Sequence, residues 1–466
     1  MKAALIFPRL YEQVHGMWPP LGIITLGTIL RDRGHQVRCY DTSFDRTPER
    51  VIAEIQRERF DLVGLSVLTD AFPTAARVIA AAKAAGAATV MGGPHPTIVP
   101  EETLRAVPEL DFAVRGEGEE SLPALVERLV AGVDPAGIDG VCYRRGDEIV
   151  LAEPRPVADL DSIPIPDRDL LDVNPEYLRA RAVNLHASRG CPFRCRFCQP
   201  TLNRLFGKKL RFQSPERVAA EIEDCHRRYG IRDFFFHDDT FTVSLKWMEG
   251  LRQAFAERKL LDGFRYVVNS RVDTFDEDKA RLLREMNVYY VLFGIESGSQ
   301  EILNSIDKGT TLEQARQAFA ICRKFGFRTH AYILLGSPAE TKDTLAATEA
   351  IVEELKPSTV HISIFTPLLG THFAEELRAA GRIPGNDFEN LDYYLKRTSA
   401  NLPPALIPGL EYQDLLDSRA RILKRRKFRV MADNARELVR DLARDRSLDK
   451  LFFRYQFYRR MQHYFG

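Results

Sequence analysis

The sequence predicts an α/β protein: a doubly wound, Rossmann-like N-terminal domain, then a second parallel sheet curved into a partial TIM-type barrel, then a mostly helical C-terminal region. Two observations carry this. Short apolar runs alternate with helical stretches in both the first third and the middle of the chain, which is the rhythm of parallel βαβ units. Glycines and polar residues gather just after the apolar runs, where α/β sheets present their ligand-binding edge.

In the first third, Ala3 to Phe7, Gln36 to Tyr40, Leu62 to Val67 and Thr89 to Met91 read as strands, with helices over Leu21 to Arg33, Thr47 to Arg59 and Thr74 to Ala85. The following loops hold Ser66 to Asp70 and the run Gly92-Gly93-Pro94-His95-Pro96. Glycine at a strand end lets a ligand approach the backbone, so this edge predicts a site for a nucleotide-sized molecule. The domain is placed at residues 1–136. Residues 137–180 read as a linker, a hairpin turning at Gly146-Asp147 and then an extended segment through Pro164 and Pro166, because each proline restricts the residue before it.

The barrel is placed at 181–371, with helices over Pro215 to Tyr229 and Leu245 to Glu257. Its strands read as Asp233 to Phe236, Arg265 to Asn269, Val288 to Phe293, Thr329 to Leu335 and Thr359 to Phe365. His237, Asp238 and Asp239 follow the first, Ser270, Arg271 and Asp273 the second, and the run Gly294 to Gly298, with Glu296 at its centre, the third. A single such acid reads equally well as a helix cap or solvated loop end; the recurrence after successive strands points to a site.

Ahead of these elements lies Cys191-Pro-Phe-Arg-Cys195-Arg-Phe-Cys198. Three thiols at C-x3-C-x2-C spacing can bind three corners of an iron–sulfur cube and leave one iron open to substrate. Clusters held by protein ordinarily use four Cys, and the remaining four of the seven cysteines stand singly and far away. Zinc would want four ligands from paired knuckles or nearby His. A disulfide framework does not suit isolated cysteines of odd number, which point to a reducing compartment.

With Phe197 just before the last Cys, the motif resembles the signature of the radical S-adenosylmethionine (SAM) superfamily. That resemblance implies a (β/α)6-type partial barrel, a [4Fe-4S] cluster on Cys191, Cys195 and Cys198, and SAM cleaved to a 5'-deoxyadenosyl radical. It also implies SAM contacts from Phe197 at the adenine, Glu296 at the ribose, and Asp238, Asp239 and Arg271. FHDDTF stands at Phe236 to Phe241 where many members have GGE. The segments Pro19 to Val37, Gly64 to Asp70, Gly92 to Glu102 and Arg115 to Leu122 resemble the cobalamin-binding domain fused to many such proteins, which implies cobalamin contacts from Ser66, Thr69, Gly92, Gly93 and His95. No D-x-H-x-x-G motif occurs, so the resemblance implies cobalt without a lower His ligand.

Together these imply a cobalamin-dependent C-methyltransferase acting on an unactivated carbon of a small molecule or lipid, an isoprenoid or secondary metabolite among them. An electron donor such as flavodoxin or ferredoxin would supply the reducing electron. Oxidative cyclisation or rearrangement without methylation is one alternative, and a regulatory cobalamin- and cluster-sensing module a second.

The net charge of +1 gives no field that would attract nucleic acid. No apolar run reaches ~18 residues and no basic-then-apolar leader is present, so a cytoplasmic protein is expected. The region 372–466 is different: from Arg419 to Gly466 there are 15 Lys or Arg against 5 Asp or Glu, interleaved with Phe428, Phe452, Phe453, Tyr455, Phe457 and Tyr458. Such a segment can lie on the inner, anionic membrane surface; packing over the barrel with solvated charges outward is the favoured alternative.

Overall fold

A computed structural model describes residues 1–10, 18–179, 181–198, 201–382 and 407–445. The first sheet comprises β1 (Lys2–Phe7), β2 (Gln36–Asp41), β3 (Leu62–Ser66), β4 (Ala88–Gly92), β5 (Phe112–Val114), β6 (Val141–Arg145) and β7 (Glu148–Val150), in the order β2-β1-β3-β4-β5-β6-β7. Strands β1 to β5 run parallel and the last two are antiparallel. Most residues of β1, β3 and β4 are buried, on both faces, as a sheet covered by helices requires. The order reverses between β1 and β3, which opens a crevice at the carboxyl edge.

The hairpin that the sequence assigns to a linker is the far edge of this sheet. Strand β5 is only three residues long, and pairing Phe112, Ala113 and Val114 with Tyr143, Cys142 and Val141 satisfies its outer backbone groups. The linker proper therefore begins after Val150.

The second sheet holds β8 (Ala182–Leu185), β11 (Asp233–Phe236), β12 (Arg265–Ser270), β13 (Val288–Glu296), β14 (Arg328–Leu335) and β15 (Thr359–Ile364), all parallel, in the order β15-β14-β13-β12-β11-β8. A two-stranded ribbon, β9 (Ser188–Arg189) with β10 (Arg211–Phe212), brackets the Cys loop. Alternate residues of β14 and β15 are buried, so one face packs against the surrounding helices and the other looks into the half-barrel. Local chemistry fixes the helices: Ser214 caps Pro215–Tyr229 by accepting from Arg217 N, and Gly230, at φ +68°, ends it.

The helix Tyr412–Asp445 docks on the barrel through Ile422 and through Glu349, whose carboxylate accepts from Ser418 Oγ at 2.9 Å and Arg421 Nε at 3.0 Å. The aromatic cluster from Phe452 onward lies outside the described residues. Among the described residues no helix is long and apolar enough to cross a membrane.

Candidate active site

The carboxyl edges of the two parallel sheets face each other across a cavity of about 300 Å³. Ser66, Gly92, Gly93, Pro94, Gly116 and Glu117 line it from the first domain, and His186, Ser188, Arg189, Gln213, His237 and Asp239 from the barrel.

The first-domain wall is backbone-rich for a physical reason. Gly93 sits at φ +92°, and a Cβ there would meet Val67 N at 2.8 Å, so only glycine permits the turn that follows β4. His95 N donates to Val67 O at 3.0 Å, which ties the two loops together. The His95 ring is wholly buried, 4.3 Å from the Phe72 ring, with Nδ1 3.2 Å from Thr69 Oγ1. His95, expected at the corrin, thus lies beneath the wall, while Thr69, also expected there, is half-buried and outside the residues that line the cavity. The imidazole packs under Phe72, which keeps it from the cavity surface.

In the Cys loop, Cys195 is buried while Cys191 and Cys198 are partly exposed, and all seven cysteines are free thiols. Among the described residues no three His, Cys, Asp or Glu side chains converge tightly enough to hold a single metal ion. The three thiols are nonetheless near enough to act on one another electrostatically. Three thiols suit a cluster in which each thiolate takes its own iron, and fall short of the four ligands of a structural zinc site. Burial, reinforced by Asp239 and the neighbouring thiols, pushes Cys198 up to about 12, so loading the loop with iron must expel protons.

Around this loop the expected SAM residues divide. Phe197 packs on an apolar cluster of Leu303, Ile306, Phe365, Phe373 and Leu377, with Lys308 Nζ 5.8 Å from its ring. Glu296 ends β13 at φ +64°, a left-handed conformation that is costly for a non-glycine residue, and its Oε1 accepts from Lys308 Nζ at 2.7 Å. Gly294 leaves the space this pair occupies, since a Cβ there would strike both side-chain ends. Asp239 opens to the cavity.

Asp238 and Arg271 are already engaged. Asp238 is 1% exposed; its carboxylate accepts from Ala187 N at 3.2 Å and from Ser188 Oγ, locking the end of β8 to the end of β11. Burial pushes its carboxyl up to about 6. Arg271 donates to Asp273, to Lys308 O and toward Cys195 Sγ. Both side chains are held by these contacts at the ends of β11 and β12.

Sequence reasoning missed β8, too short for a periodicity signal, and the partner role of Lys308. It also missed Glu117, buried beneath Arg189 and Arg211 with Nη–Oε distances of 2.8 to 3.0 Å. A single buried acid in an Arg-Gly-Glu-Gly-Glu-Glu run carries no sequence signal of its distant partners.

Residues 10–126 match the B12 binding domain, and residues 185–352 match the radical SAM superfamily. The chain is 35% identical to an uncharacterized methyltransferase of Pyrococcus horikoshii, over 80% of this chain and 83% of that one. It is 28% identical to the anaerobic magnesium-protoporphyrin IX monomethyl ester cyclase of Rubrivivax gelatinosus, over 84% of this chain and 72% of that one. Its fold is similar to the structure of the radical SAM methyltransferase TsrM from Kitasatospora setae with cobalamin and [4Fe-4S] cluster bound. There the TM-score is 0.69 at 23% identity, covering 83% of this chain and 77% of that one.

Proposed function

This chain belongs to the radical SAM superfamily, in the group that carries a B12-binding domain, and we propose that it is a cobalamin-dependent C-methyltransferase acting on an unactivated carbon. One observation carries the reading: both sheets present their carboxyl edges to a single cavity, with Gly92 and Gly93 on one wall and Ser188 and Asp239 on the other. When bound, the cluster supplies the electron that cleaves SAM, and the corrin carries the methyl group.

The chain's own residues hold and orient. Cys191, Cys195 and Cys198 would bind the cluster and leave one iron to SAM. Phe197 would pack near the adenine, and Glu296, held by Lys308, would meet the ribose. Ser66, Gly92 and Gly93 form the bed for the corrin. His95 is wholly buried and does not line the cavity.

The substrate is read as a small molecule, lipids and isoprenoids included, and the electron donor as a flavodoxin or ferredoxin. Peripheral membrane contact would fall to the basic, aromatic tail. The resemblance to the cyclase of Rubrivivax gelatinosus favours a second reading, oxidative cyclisation without methyl transfer. Incubating the reduced, cobalamin-loaded enzyme with methyl-deuterated SAM and a pool of cellular small molecules separates them. Deuterated methyl in a new product supports methyl transfer; a product that has lost hydrogen and gained no label supports cyclisation.

A further inference from the structure

Arg271 follows β12 and is 6% exposed. Asp273 grips it side-on, accepting from Nε and Nη2 at 3.0 Å each. Nη2 also donates to Lys308 O at 2.6 Å, and the guanidinium lies 3.6 Å over the Phe193 ring. Three groups from three segments therefore fix its plane, and the remaining nitrogen, Nη1, points at Cys195 Sγ at 3.5 Å. A planar guanidinium held this way keeps its charge and cannot swing toward solvent.

A donor aimed at a ligating sulfur matters to a cluster because reduction adds negative charge. Hydrogen bonds to the sulfurs and nearby charge are among the terms that set cluster potentials. We propose that Arg271 is a positioning residue that raises the reduction potential of the cluster, its N–H to Cys195 stabilising the reduced state, with Asp273 fixing the guanidinium and tempering its charge. One electron, delivered by a low-potential one-electron donor, enters the cluster; no bond is made or broken in that step. The proposal rests on the cluster assignment and not on methyl transfer.

The two side chains make opposite predictions. In the full-length, iron- and sulfide-reconstituted protein, an anaerobic redox titration with dithionite, read by the EPR signal of the reduced cluster, gives the midpoint. Arg271→Met should move it to more negative values and Arg271→Lys less so. Asp273→Asn leaves the guanidinium charge uncompensated and should move the midpoint to more positive values. Midpoints equal to the wild type in Arg271→Met and Asp273→Asn at full iron content, or shifts of the same sign, overturn the proposal. If Arg271→Met fails to hold iron, the sign of the Asp273→Asn shift decides alone. Opposite shifts in a protein that makes no S-adenosylhomocysteine keep this inference and remove the methyl-transfer reading.

Discussion

Glu117 and Arg189 are joined across the two domains at 2.8 Å, with the carboxylate side chain only 1% exposed. Arg211 closes on the same carboxylate, and Val157 N donates to it at 2.7 Å. Arg189 and Arg211 face each other on the ribbon that brackets the Cys loop. One acid of the B12-binding domain thus holds the base of the cluster loop.

Removing that charge takes from Arg211 its carboxylate partner and leaves Arg189 with Glu119 alone, both cations being largely enclosed. Glu117→Gln should lower stability by about 3 kcal/mol and reduce iron retained per chain, while the isolated Cys motif remains intact. Denaturant unfolding and iron analysis measure both.

The Glu296–Lys308 pair is also enclosed, with side chains 11% and 7% exposed. Lys308→Met strands the acid and should weaken SAM binding at least tenfold, about 1.4 kcal/mol, as read by equilibrium binding to the reconstituted protein. A smaller loss for Glu296→Gln, which keeps an acceptor, distinguishes lost pairing from lost shape.

Neighbouring glycines should behave differently. A Cβ on Gly93 would collide with Val67 N, whereas one on Gly92 would meet Val114 O at an ordinary 3.7 Å. Gly93→Ala should therefore abolish corrin uptake, followed by its visible absorbance, and Gly92→Ala should largely preserve it.

Much of this architecture was legible in the chain. The helices Pro215–Tyr229 and Leu245–Glu257 and the strand Asp233–Phe236 fall where periodicity put them, because caps and apolar spacing act locally. The Cys loop was legible because its chemistry is contained in eight consecutive residues. The employment of Asp238 and Arg271 was not: whether an acid meets SAM or a backbone N–H depends on which strand end lies beside it, a tertiary fact. Burial likewise decided His95, which the sequence placed in a loop and the fold places in the short helix Pro94–Ile98.

Asp238 also makes a pH prediction. Its carboxyl stands at about 6 in the fold against an ordinary 3.8, so folding favours the protonated form. The stabilisation is complete below 3.8 and is lost as pH rises through about 6, up to about 3 kcal/mol. Asp238→Asn should remove that part of the slope, making the wild-type-minus-variant difference in unfolding free energy fall between pH 4 and pH 6.

The central claim is two cofactors acting from opposite walls of one cavity. Its most direct test is to reconstitute the protein anaerobically with iron, sulfide and hydroxocobalamin, reduce it, add SAM, and quantify 5'-deoxyadenosine and S-adenosylhomocysteine in wild type and Cys195→Ala. Both products from the wild type, with 5'-deoxyadenosine lost in Cys195→Ala and S-adenosylhomocysteine dependent on corrin, is the predicted result. 5'-Deoxyadenosine that persists without Cys195, or S-adenosylhomocysteine that forms equally without corrin, would contradict it.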